Sequence, residues 1–203
     1  SMGALAGASA GGRNEPGPGT PSGRAGSASP TENVFVPITP CRIVNTQNPA
    51  GPFAVGETRS YRMASGTQAQ GGAASCGIPS HATALEVSIT AVGAAGNGYL
   101  RVHPAGEPVP TATFMNFTRS FNASNAGTVR VTPGGGDNLS ITVFQRPTHV
   151  VVDVLGYYQS DLFAVVGADG TLVRGNGVVG VLAVGPGAYV VRFDRNVRGC
   201  AYT

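Results

Sequence analysis

Chemistry in this chain would have to come from three His, three Cys and ten acidic side chains, set among 13 basic residues that are all arginine. The missing lysine matters first. Without an amine there is no Schiff base, no phosphate-cradling P-loop lysine and no lysine isopeptide cross-link. His81, His103 and His149 are too far apart for metal-ligand spacing. On a strand, His149 and Asp153 would share a face, yet four residues at the strand rise place them about 13 Å apart. That is too far for a base and the acid that orients it. Glu57, Glu86, Glu107, Asp137 and Asp153 are dispersed, and nothing signals the pair about 5–9.5 Å apart that a glycosidase needs. There is no GxSxG, the run Gly134-Gly135-Gly136 has neither a Lys nor a helix after it, and the acids lack an EF-hand pattern. The sequence therefore predicts no catalytic residue, no metal and no cofactor. The sequons at Asn116, Asn122 and Asn138 read as chance occurrences.

Two pairings remain. Cys41 and Cys76 each sit beside turn residues, in Thr39-Pro40-Cys41-Arg42 and Ser75-Cys76-Gly77-Ile78-Pro79. Either they staple two loop ends together, which would imply an oxidising compartment, or they are two buried thiols. There is no CxxC and no Cys/His cluster, so neither a zinc nor a thioredoxin-type site is described. Asp153 is the sole acid in the apolar run Val150 to Leu155, and Arg42 sits in another apolar segment. If buried, each would need a partner, so Arg42 or another Arg is expected to reach Asp153. The alternative places Asp153 on the solvent face, opposite Val152 and Val154.

These side chains must be positioned by strands. The 203 residues include 31 Gly and 15 Pro while only 11% are charged, a composition of turns and short strands that excludes long amphipathic helices. Residues 1–33 are expected to be a Gly/Pro/Ser/Ala linker or arm, with Ser1-Met2 a scar of tag removal; Gly3 to Gly12 is too Gly-interrupted for a signal-peptide core. Over 34–158 apolar residues alternate with polar ones between Gly/Pro/Asn punctuation, at Tyr61–Met63, Leu85–Ala91, Leu100–Val102, Thr113–Phe117, Val129–Val131, Leu139–Val143 and Val150–Val154. About seven short strands so spaced predict an antiparallel β-sandwich or jelly roll. Residues 161–203 start a second pattern of four strands around Ala168-Asp169-Gly170 and Gly185-Pro186-Gly187, ending at Cys200 and reading as a unit cut short. About 40 residues bury too little to fold alone, so this unit is expected to pack against the first domain or, in preference, against copies of itself in a symmetric oligomer. A net charge of +3 spread over single arginines gives no basic patch, which argues against nucleic acid, and the apolar runs are far shorter than the ~18 residues of a membrane span.

The run Phe35-Val36-Pro37-Ile38-Thr39-Pro40-Cys41-Arg42-Ile43-Val44-Asn45-Thr46, with Cys76-Gly77-Ile78-Pro79, Gly98-Tyr99-Leu100, Pro104-Ala105-Gly106, Asn116-Phe117 and Val152-Asp153-Val154-Leu155-Gly156-Tyr157, resembles a largely uncharacterised β-domain. That domain recurs in secreted proteins of actinobacteria and other soil bacteria. Asn45 stands where it usually carries an acid, which removes the carboxylate an ion pair there would need. Asp169-Gly170-Thr171-Leu172-Val173-Arg174, Tyr189-Val190-Val191-Arg192-Phe193 and Cys200-Ala201-Tyr202 look like a segment near the ends of bacterial surface proteins. The resemblance implies a secreted or cell-surface accessory module. The expectation is a non-catalytic unit for surface attachment, adhesion or assembly, partnered by itself, a surface protein or a polysaccharide. The other reading is a carbohydrate-binding module using Tyr99, Tyr157 and Tyr158 as stacking platforms, weakened because no Trp is present and because packing at strand ends is the more ordinary role for these tyrosines.

Overall fold

The structure is a computed structural model and describes residues 33–197. The expected N-terminal linker and Cys200 lie outside the described residues. Eight strands build the first unit: β1 (Asn33–Asn45), β2 (Thr58–Tyr61), β3 (Ala84–Val92), β4 (Gly98–Pro104), β5 (Met115–Phe117), β6 (Ala123–Arg130), β7 (Leu139–Phe144) and β8 (His149–Ser160). They form two four-stranded antiparallel sheets, ordered β1-β8-β3-β6 and β2-β7-β4-β5. Each neighbouring pair nests inside the next, β4 with β5, β3 with β6, β2 with β7 and β1 with β8. This is the rolled-up double Greek key of a jelly roll.

Period-two alternation makes the core. Leu85, Val87, Ile89 and Ala91 of β3, Val150, Val152 and Val154 of β8, Leu139, Ile141 and Val143 of β7 and Leu100 of β4 are buried, and all belong to one apolar cluster between the sheets. Polar neighbours along the same strands, such as Glu86, Ser88 and Thr90, turn to the outer face. Phe53 and Met63, outside the strands, plug the same core.

Two strands depart from the sequence reading. β1 is a 13-residue strand carrying Pro37 and Pro40, with irregular register between Pro37 and Cys41 and again between Arg42 and Val44. Proline removes a ladder donor, which an edge strand tolerates at bulges. β6 runs from Ala123, whereas alternation marked only Val129 to Val131; its first half, Ala-Ser-Asn-Ala-Gly, is small and polar because it is also an edge strand with little to bury. The strand expected from Thr113 begins only at Met115.

The remaining described residues form β9 (Phe163–Val166), β10 (Leu172–Asn176), β11 (Val178–Gly185) and β12 (Ala188–Phe193), paired as two separate two-stranded sheets, β9 with β10 and β11 with β12. Asp169 closes the first hairpin by accepting the Thr171 backbone N–H at 3.0 Å and its hydroxyl at 2.7 Å. Both bonds hold the Asp169 carboxyl below the usual carboxylate range. No residue from 161 to 197 is buried.

Candidate functional site

Cys41 and Cys76 form a disulfide spanning 35 positions, with Cα atoms 5.6 Å apart. It anchors a segment that lies along the C-terminal part of the outer edge of β1. Along that edge Gln70 donates its side-chain N–H to the Ile43 carbonyl at 2.9 Å, the Ala73 N–H donates to the Arg42 carbonyl at 2.8 Å, and Gly71 bridges to Val44. Gly71 has φ +81°, and a Cβ there would run into the Asn45 carbonyl oxygen, so the close approach requires glycine. Gln70 also exchanges bonds with the backbone of Arg62, just past β2, and so ties the two sheets together. An exposed edge is a template for pairing with other chains; here the stretch of β1 from Cys41 to Val44 is blocked.

Arg42 and Asp153 face each other in the β1–β8 register. The guanidinium donates two parallel bonds to the carboxylate, Nε at 2.8 Å and a terminal nitrogen at 3.0 Å. The hydrogen bond that Arg42 donates to Asp153 holds the Arg42 pKa above its ordinary value, partly opposed by desolvation. The pair is not buried: the side chains are 48% and 29% exposed. Asp153 points away from the core because Val152 and Val154, on the other parity, fill it, so the ion pair lies on the outer face beside Pro40, Ser88 and Leu155. Exposed pairs of this kind contribute little, roughly 0–1 kcal/mol.

The three tyrosines do not form a common platform. Tyr157 packs on the core cluster between the sheets. Tyr158 has the opposite parity on β8 and leans on Phe35, ring centroids 5.1 Å apart. Tyr99 lies on the other sheet, where its ring stacks on Phe144 at 4.8 Å with 13° between planes. The histidines are equally scattered: His81 bonds Gln159 at 3.0 Å, His103 meets the Pro104 carbonyl at 3.0 Å, and His149 lies 3.3 Å from the Thr46 hydroxyl. Among the described residues no three His, Cys, Asp or Glu side chains group as metal ligands. No described helix is long and apolar enough to cross a membrane.

Sequence reasoning passed over Asn138. Its side chain is buried, accepts the Met63 N–H at 3.0 Å and donates to the Thr132 and Gly134 carbonyls at 2.7 and 3.2 Å. It pins the Gly-rich turn to the end of β2, and only its place before an apolar strand hinted at it. Phe144 and Arg101 were also missed as neighbours of Tyr99, because their meeting depends on the β4–β7 register.

No family model matches this chain, and no curated protein or solved structure does either. The described residues form a disulfide-bonded, all-β jelly roll followed by two hairpins.

Proposed function

We propose that the chain is a non-catalytic extracellular module that assembles through its C-terminal hairpins. The observation that carries this is the surface of residues 161–197. Val173, Val179, Leu182 and Val184 are each about three-fifths exposed, Leu172 and Val190 nearly half, and nothing in the segment is buried. Both strands of each two-stranded sheet have an open edge. A lone hairpin is marginal in water, and apolar side chains repeated on two of them need a cover. Copies of the same segment supply both an apolar face and matching strand edges, closing by symmetry. Fully burying a Val or Leu is worth about 1.5–3 kcal/mol, so covering the exposed part of several gives on the order of 5–10 kcal/mol. That is comparable with the ~4–15 kcal/mol of freedom lost on association, so binding gains from several contacts at once. The disulfide suits an oxidising compartment, and the resemblance to secreted and surface proteins supports the same placement.

Light scattering on the full chain at micromolar concentration tests this. An oligomer that reverts to a monomer in Val173→Asp/Leu182→Asp, with the far-UV spectrum retained, is the expected result. A monomeric wild type overturns the reading.

A further inference from the structure

The outer face of the sheet β2-β7-β4-β5 carries polar and aromatic groups in register. Asn116, Tyr99 and Phe144 form one row across β5, β4 and β7; Arg101, Thr142 and Thr58 form the next across β4, β7 and β2. The Arg101 guanidinium carbon lies 4.8 Å from the Phe144 ring centroid and 5.4 Å from that of Tyr99. Two rings thus hold one cation on a short tether. The Thr58 and Thr142 hydroxyls bond each other at 2.8 Å, and one strand row further Ser60 and Ser140 do the same.

Charge sets this face apart. Within the jelly roll Arg42, Arg59, Arg62 and Arg130 each pair with a carboxylate. Among the described residues Arg101 has no such partner, and neither do Arg119, in the turn after β5, and Arg146, just after β7. Arg101 Nε and His103 Nε2 are shielded from solvent and have no hydrogen-bond partner.

A shallow concavity of about 390 Å³ adjoins the Asn116 end of the row. It is lined by the amides Asn97, Asn116 and Gln145 and by the rings of Phe117 and Phe121. Phe121 is 66% exposed, an apolar ring held out on a tight turn where it covers no core. Gln145 has φ +70°, and it is the one non-glycine among the described residues with positive φ. Strain of that kind persists where surroundings fix it, often at binding sites.

We propose that this end of the sheet binds an acidic polysaccharide. A pyranose ring lays its C–H face on Phe121, the three amides hydrogen-bond its hydroxyls, and Arg101 takes a carboxylate on a neighbouring sugar. An open trough with amides and a flat ring suits a hydroxylated chain better than a peptide, which would seek an apolar pocket or a long free strand edge. The cation without a counter-charge selects carboxylated sugars over neutral ones. None of these residues lies in 161–197, so the outcome is independent of the assembly reading.

The test is titration calorimetry of the full chain with polygalacturonate, alginate and hyaluronate, beside fully methyl-esterified polygalacturonate and dextran sulfate. The expected result is binding to at least one carboxylated chain, weakened at least tenfold by Arg101→Gln and by Phe121→Ala, with Arg42→Gln unchanged. Phe121 and Asn116 are exposed, so Phe121→Ala and Asn116→Ala keep the test valid if Arg101→Gln misfolds. No binding to any of the three overturns the proposal. So does equal binding of the esterified chain, or binding that follows dextran sulfate and ignores Phe121, which would mark simple ion exchange.

Discussion

Removing the Cys41–Cys76 bond should cost the jelly roll a large part of its stability while leaving its fold in place. The bond closes a loop across 35 positions. On the chain-entropy account a loop of that length removes about 4 kcal/mol of freedom from the unfolded chain. The native segment does not depend on the bond alone, since Gln70, Ala73 and Gly71 keep their contacts to β1. Strands β1 to β8 span residues 33–160, and a unit of that size has an unfolding entropy near 0.27 kcal/mol/K, so 4 kcal/mol corresponds to a melting-temperature fall of about 15 °C. Cys41→Ser/Cys76→Ser, made in a Cys200→Ser background to prevent exchange, should show that fall by calorimetry. Urea titration should also show a larger m-value, because the released unfolded chain exposes more surface. A fall below about 4 °C with an unchanged m-value would refute the reasoning, and would mean the unfolded chain already holds these segments together.

Two further outcomes follow from buried groups. The Tyr61 hydroxyl is buried beside Arg59, and burial pushes its pKa up to about 12, an effect the nearby Arg59 cation opposes. Because the folded value lies above the unfolded value of about 10, the neutral phenol's contribution is complete below pH 10 and is lost between pH 10 and 12. Tyr61→Phe should therefore match wild type at pH 7 and lose about 2 kcal/mol less on that alkaline rise, measured by denaturant titration; parallel curves would reject the burial account. Asn138→Ala leaves the Met63 N–H and two carbonyls without their partner, and should destabilise by about 2–4 kcal/mol in the same assay. A loss under about 0.5 kcal/mol would show that water replaces the amide freely.

Legibility in the sequence followed burial. Strands β3 and β7 sit inside their sheets, and their core-facing Leu85, Val87, Ile89 and Ala91, and Leu139, Ile141 and Val143, alternate with polar residues, so these faces could be assigned residue by residue; in β8, also an inner strand, the consecutive Val150, Val151 and Val152 blur that pattern. The edge strands β1 and β6 bury less, carry Pro or small polar residues, and lost the periodic signal. Cys41 and Cys76 betrayed themselves through turn chemistry on both sides. Arg42 and Asp153 could be paired as chemistry, but their exposure turned on strand parity: Val152 and Val154 claim the core and send Asp153 outward. Tyr99, Tyr157 and Tyr158 were grouped by residue type alone, whereas two sheets and opposite parities separate them. The Tyr99–Phe144–Arg101 cluster joins residues of β4 and β7 that are far apart in the chain, and only the register brings it together.

The pairing of Asn33 with Ser160 has a mechanical meaning. The two ends of the jelly roll leave side by side, from antiparallel neighbours. Tension applied between them peels β1 from β8 one hydrogen bond at a time, in place of shearing the whole ladder at once, so the unit yields at low force. The peel reaches Cys41 and meets a covalent stop that shunts the load to Cys76. About 430 Å of extended chain lies between residues 33 and 160, and the bond withholds roughly 120 Å of it. Pulling experiments should read about 310 Å of lengthening in the oxidised protein and the full length after reduction, which makes the disulfide a limit on reach as well as a source of stability.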